Sequence, residues 1–248
     1  MPQLKPSSPM VACFSPPVMI ATFTIEIILA IYVAVRYGSS LFRTIVVTVL
    51  VCLSSFQLAE YQVCEGPRSA ALAWTKLGLV GITILPALGM HLIGTVTRRS
   101  PLIPIGYAVA AFYALTFLFL PGATAEAGCS GNYVLLNIKN GWVSLMYTAY
   151  YSLFLGLAML ELLLRLLAEG RATPSGYSPK LIALTLMGYL SFILPMAVVA
   201  IVDSQLRAAT PSIMCGFALF LALLLALWIT SLYTEETRML EAKAVPSL

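Results

Sequence analysis

Charge is what this sequence has least of. Only 10% of its 248 residues are Asp, Glu, Lys or Arg, against 60% hydrophobic, and its mean hydropathy is +0.94. A soluble domain carries about 25% charge, so this chain has too little polar surface to cover a globule in water. Histidine occurs once, as His91. That excludes a haem held between two histidines and argues against the zinc-dependent seven-helix hydrolases, whose sites combine several histidines with acids. No lysine falls in the last apolar block, 212–233, so a retinal Schiff base has no attachment point. Walker A, G-x-S-x-G, H-E-x-x-H and CxxC patterns are all missing, as are the D/E-R-Y and N-P-x-x-Y signatures of G-protein-coupled receptors. No enzyme activity, metal site or cofactor is therefore expected.

What is present is apolar sequence in blocks of the length a helix needs to cross a hydrocarbon core about 30 Å thick. A membrane barrel would show alternating segments of about ten residues instead, and none is seen. The blocks predict an all-α, seven-transmembrane helix bundle with spans at 17–36, 41–60, 74–97, 102–120, 142–166, 181–202 and 212–233. The bundle fills 17–233; the tails 1–16 and 234–248 are too short to fold as domains.

Seven spans place the termini on opposite sides of the bilayer. Arg36, Arg43, Arg98, Arg99, Arg165, Arg171, Lys180, Arg238 and Lys243 lie on the side of the C-terminus, nine cations against five (Lys5, Arg68, Lys76, Lys139 and Arg207) on the other. The positive-inside rule then puts the N-terminus outside and the C-terminus in the cytoplasm. The net charge of +4 follows from this bias and implies no nucleic-acid partner. The first span has no small-residue cleavage site before its end and reads as a retained helix rather than a signal peptide. Cys64 and Cys129 both fall in outer loops. A bridge between them is permitted in an oxidising compartment; free thiols are the alternative.

Ionisable groups inside a span are costly and face the bundle interior or a wet cavity. Glu26 sits mid-way along the first span, with Thr22 one turn before it on the same face. It is a candidate proton-linked or ligand-contacting acid, or a neutral carboxyl bonded to a neighbouring helix. In the second span Ser54, Gln57, Glu60 or Tyr61, and Cys64 recur at helical spacing, which predicts an inward polar stripe. Glu60 lies near the level of Trp74 and Lys76 in the third span. Two readings stand: a Glu60–Lys76 ion pair, or a polar pocket walled by Gln57, Glu60, Tyr61, Trp74 and Lys76. His91 reads as a hydrogen-bonded packing residue more readily than as a proton relay or metal ligand. Pro86 is expected to kink the third span and free a carbonyl, while Gly78, Gly81 and Gly89 permit close helix approach. Pro195 is expected to kink the sixth span. The stripe Tyr147, Tyr150, Tyr151 and Phe154 in the fifth span is expected to pack in the core. Glu161–Arg165 and Asp203–Arg207 have the spacing of helix-end ion pairs.

The stretch SAALAWTKLGLVGITILPALGMHLIGTVTRR resembles the third span of the seven-transmembrane sensor region at the N-terminus of many bacterial histidine kinases and diguanylate cyclases. Trp74, Gly78, Leu85, Pro86, His91, Arg98 and Arg99 carry the pattern. The fifth span, GWVSLMYTAYYSLFLGLAMLELLLRLL, is similar too, with Gly-aromatic at its start and leucine-arginine at its end. The resemblance covers 41–202 and implies an extracytoplasmic N-terminus, an outward-facing ligand cavity and a sensory role in the bacterial inner (plasma) membrane. Kinase-fused members continue into a catalytic domain, whereas residues 234–248 offer no phosphoacceptor histidine and no nucleotide site.

The leading expectation is thus a stand-alone sensor that binds a small molecule or lipid from the outer side and signals through a protein partner in the membrane. An accessory subunit of a larger membrane complex and a small proton-coupled transporter using Glu26 are the alternatives.

Overall fold

The computed structural model describes residues 16–97, 101–124, 127–130, 133–135, 138, 141–168, 177–202 and 210–244. Asp203, Arg207, Arg98, Arg99 and Lys139 lie outside the described residues, so the Asp203–Arg207 pair is not addressed.

Each apolar block folds as helix. The first is α1 (Pro16–Arg36), opened by a Pro-Pro pair, which suits a helix start because the missing N–H would have no partner there. Ser40 then caps α2 (Leu41–Glu65), its hydroxyl accepting from the Arg43 N–H at 3.2 Å. Gly66-Pro67 stops α2, and a single 3₁₀ turn leads into α3 (Ala71–Thr83) and α4 (Leu85–Thr97). These two are one span interrupted at Ile84, one residue earlier in the chain than the residue before Pro86 that cannot extend an α-helix freely. Next come α5 (Ile103–Phe119), α6 (Gly141–Leu167) and α7 (Pro179–Val202), with Pro195 inside α7. The last span is α8 (Thr210–Leu224), a π-turn at Leu225–Ile229 and α9 (Thr230–Ala244), running on as one rod. At the π-turn the Thr230 hydroxyl reaches back five residues to the Leu225 carbonyl, 2.6 Å away.

Six of these helices are long and apolar enough to cross a membrane: Pro16–Arg36, Leu41–Glu65, Arg68–Thr97, Gly141–Leu167, Pro179–Val198 and Ile213–Lys243. The apolar helix Ile103–Phe119 is shorter, with 17 residues, or about 25 Å. The fold is therefore an all-α polytopic bundle with six helices of spanning length and one short apolar helix, where seven full spans are expected from the sequence.

Helices pack largely in chain order, α1 on α2, α2 on α3, α4 on α5 and α6, α6 on α7, α7 on α8, and α8 closes the bundle against α1 and α2. Gly78 lies against Ala59 and Phe56, and Gly89 against the Tyr189 ring, where an added Cβ would come within 2.6 Å of the hydroxyl. The glycines thus serve close helix approach, as their spacing suggests. The outward faces are as apolar as the core: Ile28, Ile31, Val35, Phe112, Leu153, Met187 and Val198 are all exposed. A helix apolar all round belongs in lipid. Threonines on exposed helix faces satisfy themselves, Thr48, Thr116 and Thr148 each donating to the carbonyl four residues back at 2.8 Å.

Two short strands interrupt the helical pattern between α5 and α6. β1 (Gly128–Ser130) and β2 (Tyr133–Leu135) pair antiparallel, and Thr124 bridges to Ile138 below them. A Cys64–Cys129 disulfide ties β1 to the end of α2, with Cα atoms 5.5 Å apart. The backbone N–H of Ala127 also donates to the Thr75 hydroxyl of α3 at 3.2 Å. β2 touches both α2 and α8, so the hairpin lies across the ends of those two helices.

Candidate functional site

The polar stripe of α2 does turn inward. Ser54, Gln57 and Glu60 are all buried, while Tyr61 is half-buried at the margin. Facing them from α1 are Thr22 and Glu26, both buried; Glu26 is 0% exposed. Neither Glu26 carboxyl oxygen has a hydrogen-bond partner among the described residues. A buried carboxyl left in that condition costs several kcal/mol unless something else satisfies it. Glu60 is the one charged group close enough to act on Glu26. Both acids act in turn on the Cys215 thiol, which α8 brings to the same place. The Gln57 amide likewise makes no side-chain hydrogen bond among the described residues.

Beyond Cys215 lies an enclosed cavity of about 40 Å³. Leu53 of α2, Gly89 of α4, Tyr151 of α6, Tyr189 of α7 and Cys215 and Ala218 of α8 contribute to its wall. Cys215 is therefore shared between the polar group and the cavity. The acids sit in the half of the bundle that ends in the disulfide-tethered hairpin.

The pocket wall expected from the sequence is brought together only in part. Gln57 and Glu60 face the interior beside Glu26, but Trp74 and Lys76 are half-buried on α3 and none of the five lines the cavity. Lys76 makes no ion pair with Glu60. Its ammonium donates to the Leu118 carbonyl at 2.9 Å, at the end of α5 where helix carbonyls lack partners and the helix dipole favours a cation. Glu161 does not pair with Arg165 either; it accepts from the Thr97 hydroxyl of α4 at 2.7 Å. In a bundle an inward carboxyl finds a neighbouring helix before it finds its own surface. His91 shares a 3.0 Å hydrogen bond between Nδ1 and the Tyr107 hydroxyl of α5, the packing role. Among the described residues no group of three or more His, Cys, Asp and Glu is placed to hold a metal ion.

Tyr151, Tyr189 and Cys215 were not singled out by their sequence context as a site. Tyr151 belongs to the fifth-span aromatic stripe, which gives no sign that one of its rings edges a cavity. The rest of that stripe does pack in the core: Tyr147, Tyr150 and Phe154 are buried and lie ring to ring with Tyr113 and Phe117.

A second concavity, broad and apolar, opens between α5 and α6 on the bundle surface, with Phe112, Phe119, Trp142 and Met146 on its walls.

At the far end of the bundle, Glu236 of α9 is buried and accepts from the Ser178 backbone N–H at 2.7 Å and from the Ser178 hydroxyl. Tyr177 bonds Thr237 at 3.1 Å, and the Tyr177, Tyr233 and Phe42 rings stack. This fastens the start of α7 to α9.

Fold and site together define a multi-pass membrane protein with a buried, protein-unsatisfied acid. In comparisons with known proteins, no family model matches the chain, and no curated protein matches it.

Proposed function

We propose that this protein is a seven-span, stand-alone sensor of a bacterial plasma membrane. Its N-terminus and hairpin lie outside, its C-terminus lies in the cytoplasm, and it binds a small molecule or lipid from the outer side. The observation that carries the reading is Glu26, wholly buried with both oxygens unpartnered among the described residues. An ionisable group kept in a span at that cost marks a functional site by default.

Three further observations support it. The excess of cations on the C-terminal side gives the orientation. The Cys64–Cys129 bridge lies at the opposite end of α2 from Arg43, and a disulfide belongs to the oxidising side. The short helix Ile103–Phe119, with 17 residues, is within the lower limit of about 17 for a span, which supports a seventh crossing. For output, α9 continues past the apolar part of its span and exposes Glu235, Arg238, Met239, Glu241 and Lys243, a mixed surface suited to a protein partner.

Native mass spectrometry of protein extracted gently from its own membrane tests the reading. A discrete bound molecule on the wild-type chain that is lost in Glu26→Gln is the expected result. A wild-type chain that carries nothing, and whose melting temperature is the same in Glu26→Gln, would refute it.

A further inference from the structure

Resting on the sensor reading, we infer that the ligand is a small organic cation: a primary ammonium held at Glu26, with an apolar tail of three or four carbons in the cavity beyond Cys215. The charge argument comes first. Glu26 is fully buried, its oxygens have no protein donor, and the one charged group that acts on it is another acid. A neutral ligand would leave two carboxyl groups facing each other in a medium of low polarity; a cation relieves both the repulsion and the missing donors. An ammonium carries three N–H donors. The two Glu26 oxygens and the Gln57 side-chain carbonyl, which makes no other hydrogen bond among the described residues, are three acceptors for them.

The tail follows from the cavity. Its wall is apolar and aromatic apart from the Cys215 thiol and the Tyr151 and Tyr189 hydroxyls. Its volume of about 40 Å³ is room for about three water-sized groups, which is the bulk of three or four methylene or methyl carbons. Because Cys215 interacts with Glu26 and Glu60 and also lines the cavity, head and tail sites adjoin. Longer or branched tails would meet Gly89 and Tyr189, where there is not space even for one added carbon.

The experiment compares n-butylamine with n-butanol on the full chain in nanodiscs, by saturation-transfer NMR and competition. The pair has the same tail and differs in the charged head. Butylamine is expected to bind about tenfold to a hundredfold more tightly, the ratio of a charge-assisted to a neutral hydrogen-bonded head. Glu26→Gln is expected to remove that advantage and leave butanol unchanged. Should Glu26→Gln not fold, Ala218→Leu serves instead: filling the cavity is expected to weaken butylamine at least tenfold and methylamine not at all. Equal binding of amine and alcohol, both lost in Ala218→Leu, would overturn the cation and leave the site. Binding of neither would overturn the cation and the Glu26 site together.

Discussion

The Tyr150 hydroxyl of α6 donates to the Thr83 carbonyl at 2.9 Å, at the point where the third span breaks into α3 and α4. The Thr83 hydroxyl meets Tyr147 there at 3.1 Å and donates to its own helix at Leu79. A helix break inside a membrane is tolerated only where the freed groups find new partners. Here a neighbouring helix supplies them. Tyr150→Phe keeps the ring packing and removes only the donor, so it is expected to destabilise the bundle by about 1–3 kcal/mol. Thermal or SDS unfolding of the purified variant measures this; a midpoint equal to wild type would mean that the break is satisfied otherwise.

The tethered hairpin gives a second expectation. The Cys64–Cys129 bridge spans 65 residues, and closing a loop of that length stabilises by at most about 4 kcal/mol in the chain-entropy account. Cys64→Ser is expected to lower the unfolding midpoint. In intact cells, a membrane-impermeant maleimide is expected to label the chain only after an impermeant reductant has acted, and to label the two free described thiols, Cys52 and Cys215, hardly at all, since Cys215 is buried and Cys52 half-buried. Labelling without reduction would place the pair as free thiols.

Fastening of α7 to α9 is open to a direct check. Glu236→Ala leaves the Ser178 N–H at the start of α7 without its acceptor, at a cost of about 1–3 kcal/mol. Glu236→Gln keeps one acceptor and is expected to cost less. Protease cleavage near residues 169–178 reads out the loosening, and the order Ala, then Gln, then wild type is the expected ranking.

Gly89→Ala tests the tight approach of α4 to α7. The new Cβ would lie 2.6 Å from the Tyr189 hydroxyl, so the ring must move, and it lines the cavity. Destabilisation of about 1–3 kcal/mol is expected, as for other overpacked cores. Gly156→Ala, where an added Cβ meets nothing within 4 Å, is the control, and the two should differ clearly in unfolding midpoint.

For His91, replacement by Gln is expected to leave stability within about 1 kcal/mol, since one hydrogen bond to Tyr107 is at stake. Zinc or nickel should raise the melting temperature of neither protein; a metal-dependent rise in wild type alone would restore His91 as a ligand.

The helices were legible because each is an apolar block bounded by Pro, Gly or charge, and such blocks fold as helix whatever their neighbours. The inward stripe Ser54, Gln57, Glu60 was legible for a similar reason: spacing alone puts these on one face, and lipid will not take them. Partner choice was not. Lys76 and Glu60 share a level, but which way a lysine turns depends on the rotation of α3 against α5 and on where α5 stops, facts that lie 42 residues away in sequence at Leu118. The cavity was hidden for the same reason. Its wall gathers side chains from α2, α4, α6, α7 and α8, and no local pattern announces a space left between five helices. The length of α5 shows a different shortfall: Leu120 and Pro121 are apolar enough to extend a hydropathy block, yet the backbone leaves the helix at Leu120.

The π-turn at Leu225–Ile229 bears on how a binding event would be heard on the other side. The last helix carries Cys215 near one end and Glu236 near the other, about 32 Å apart along a continuous axis. A π-turn holds one residue more than the α-turn it replaces. Sliding it along the helix would turn the segment it passes by about 100° without breaking the rod. The seventh span is in that sense an axle with a slip joint: a twist begun beside the Cys215 thiol can arrive at the far end as a change in which face of α9 meets the cytoplasm.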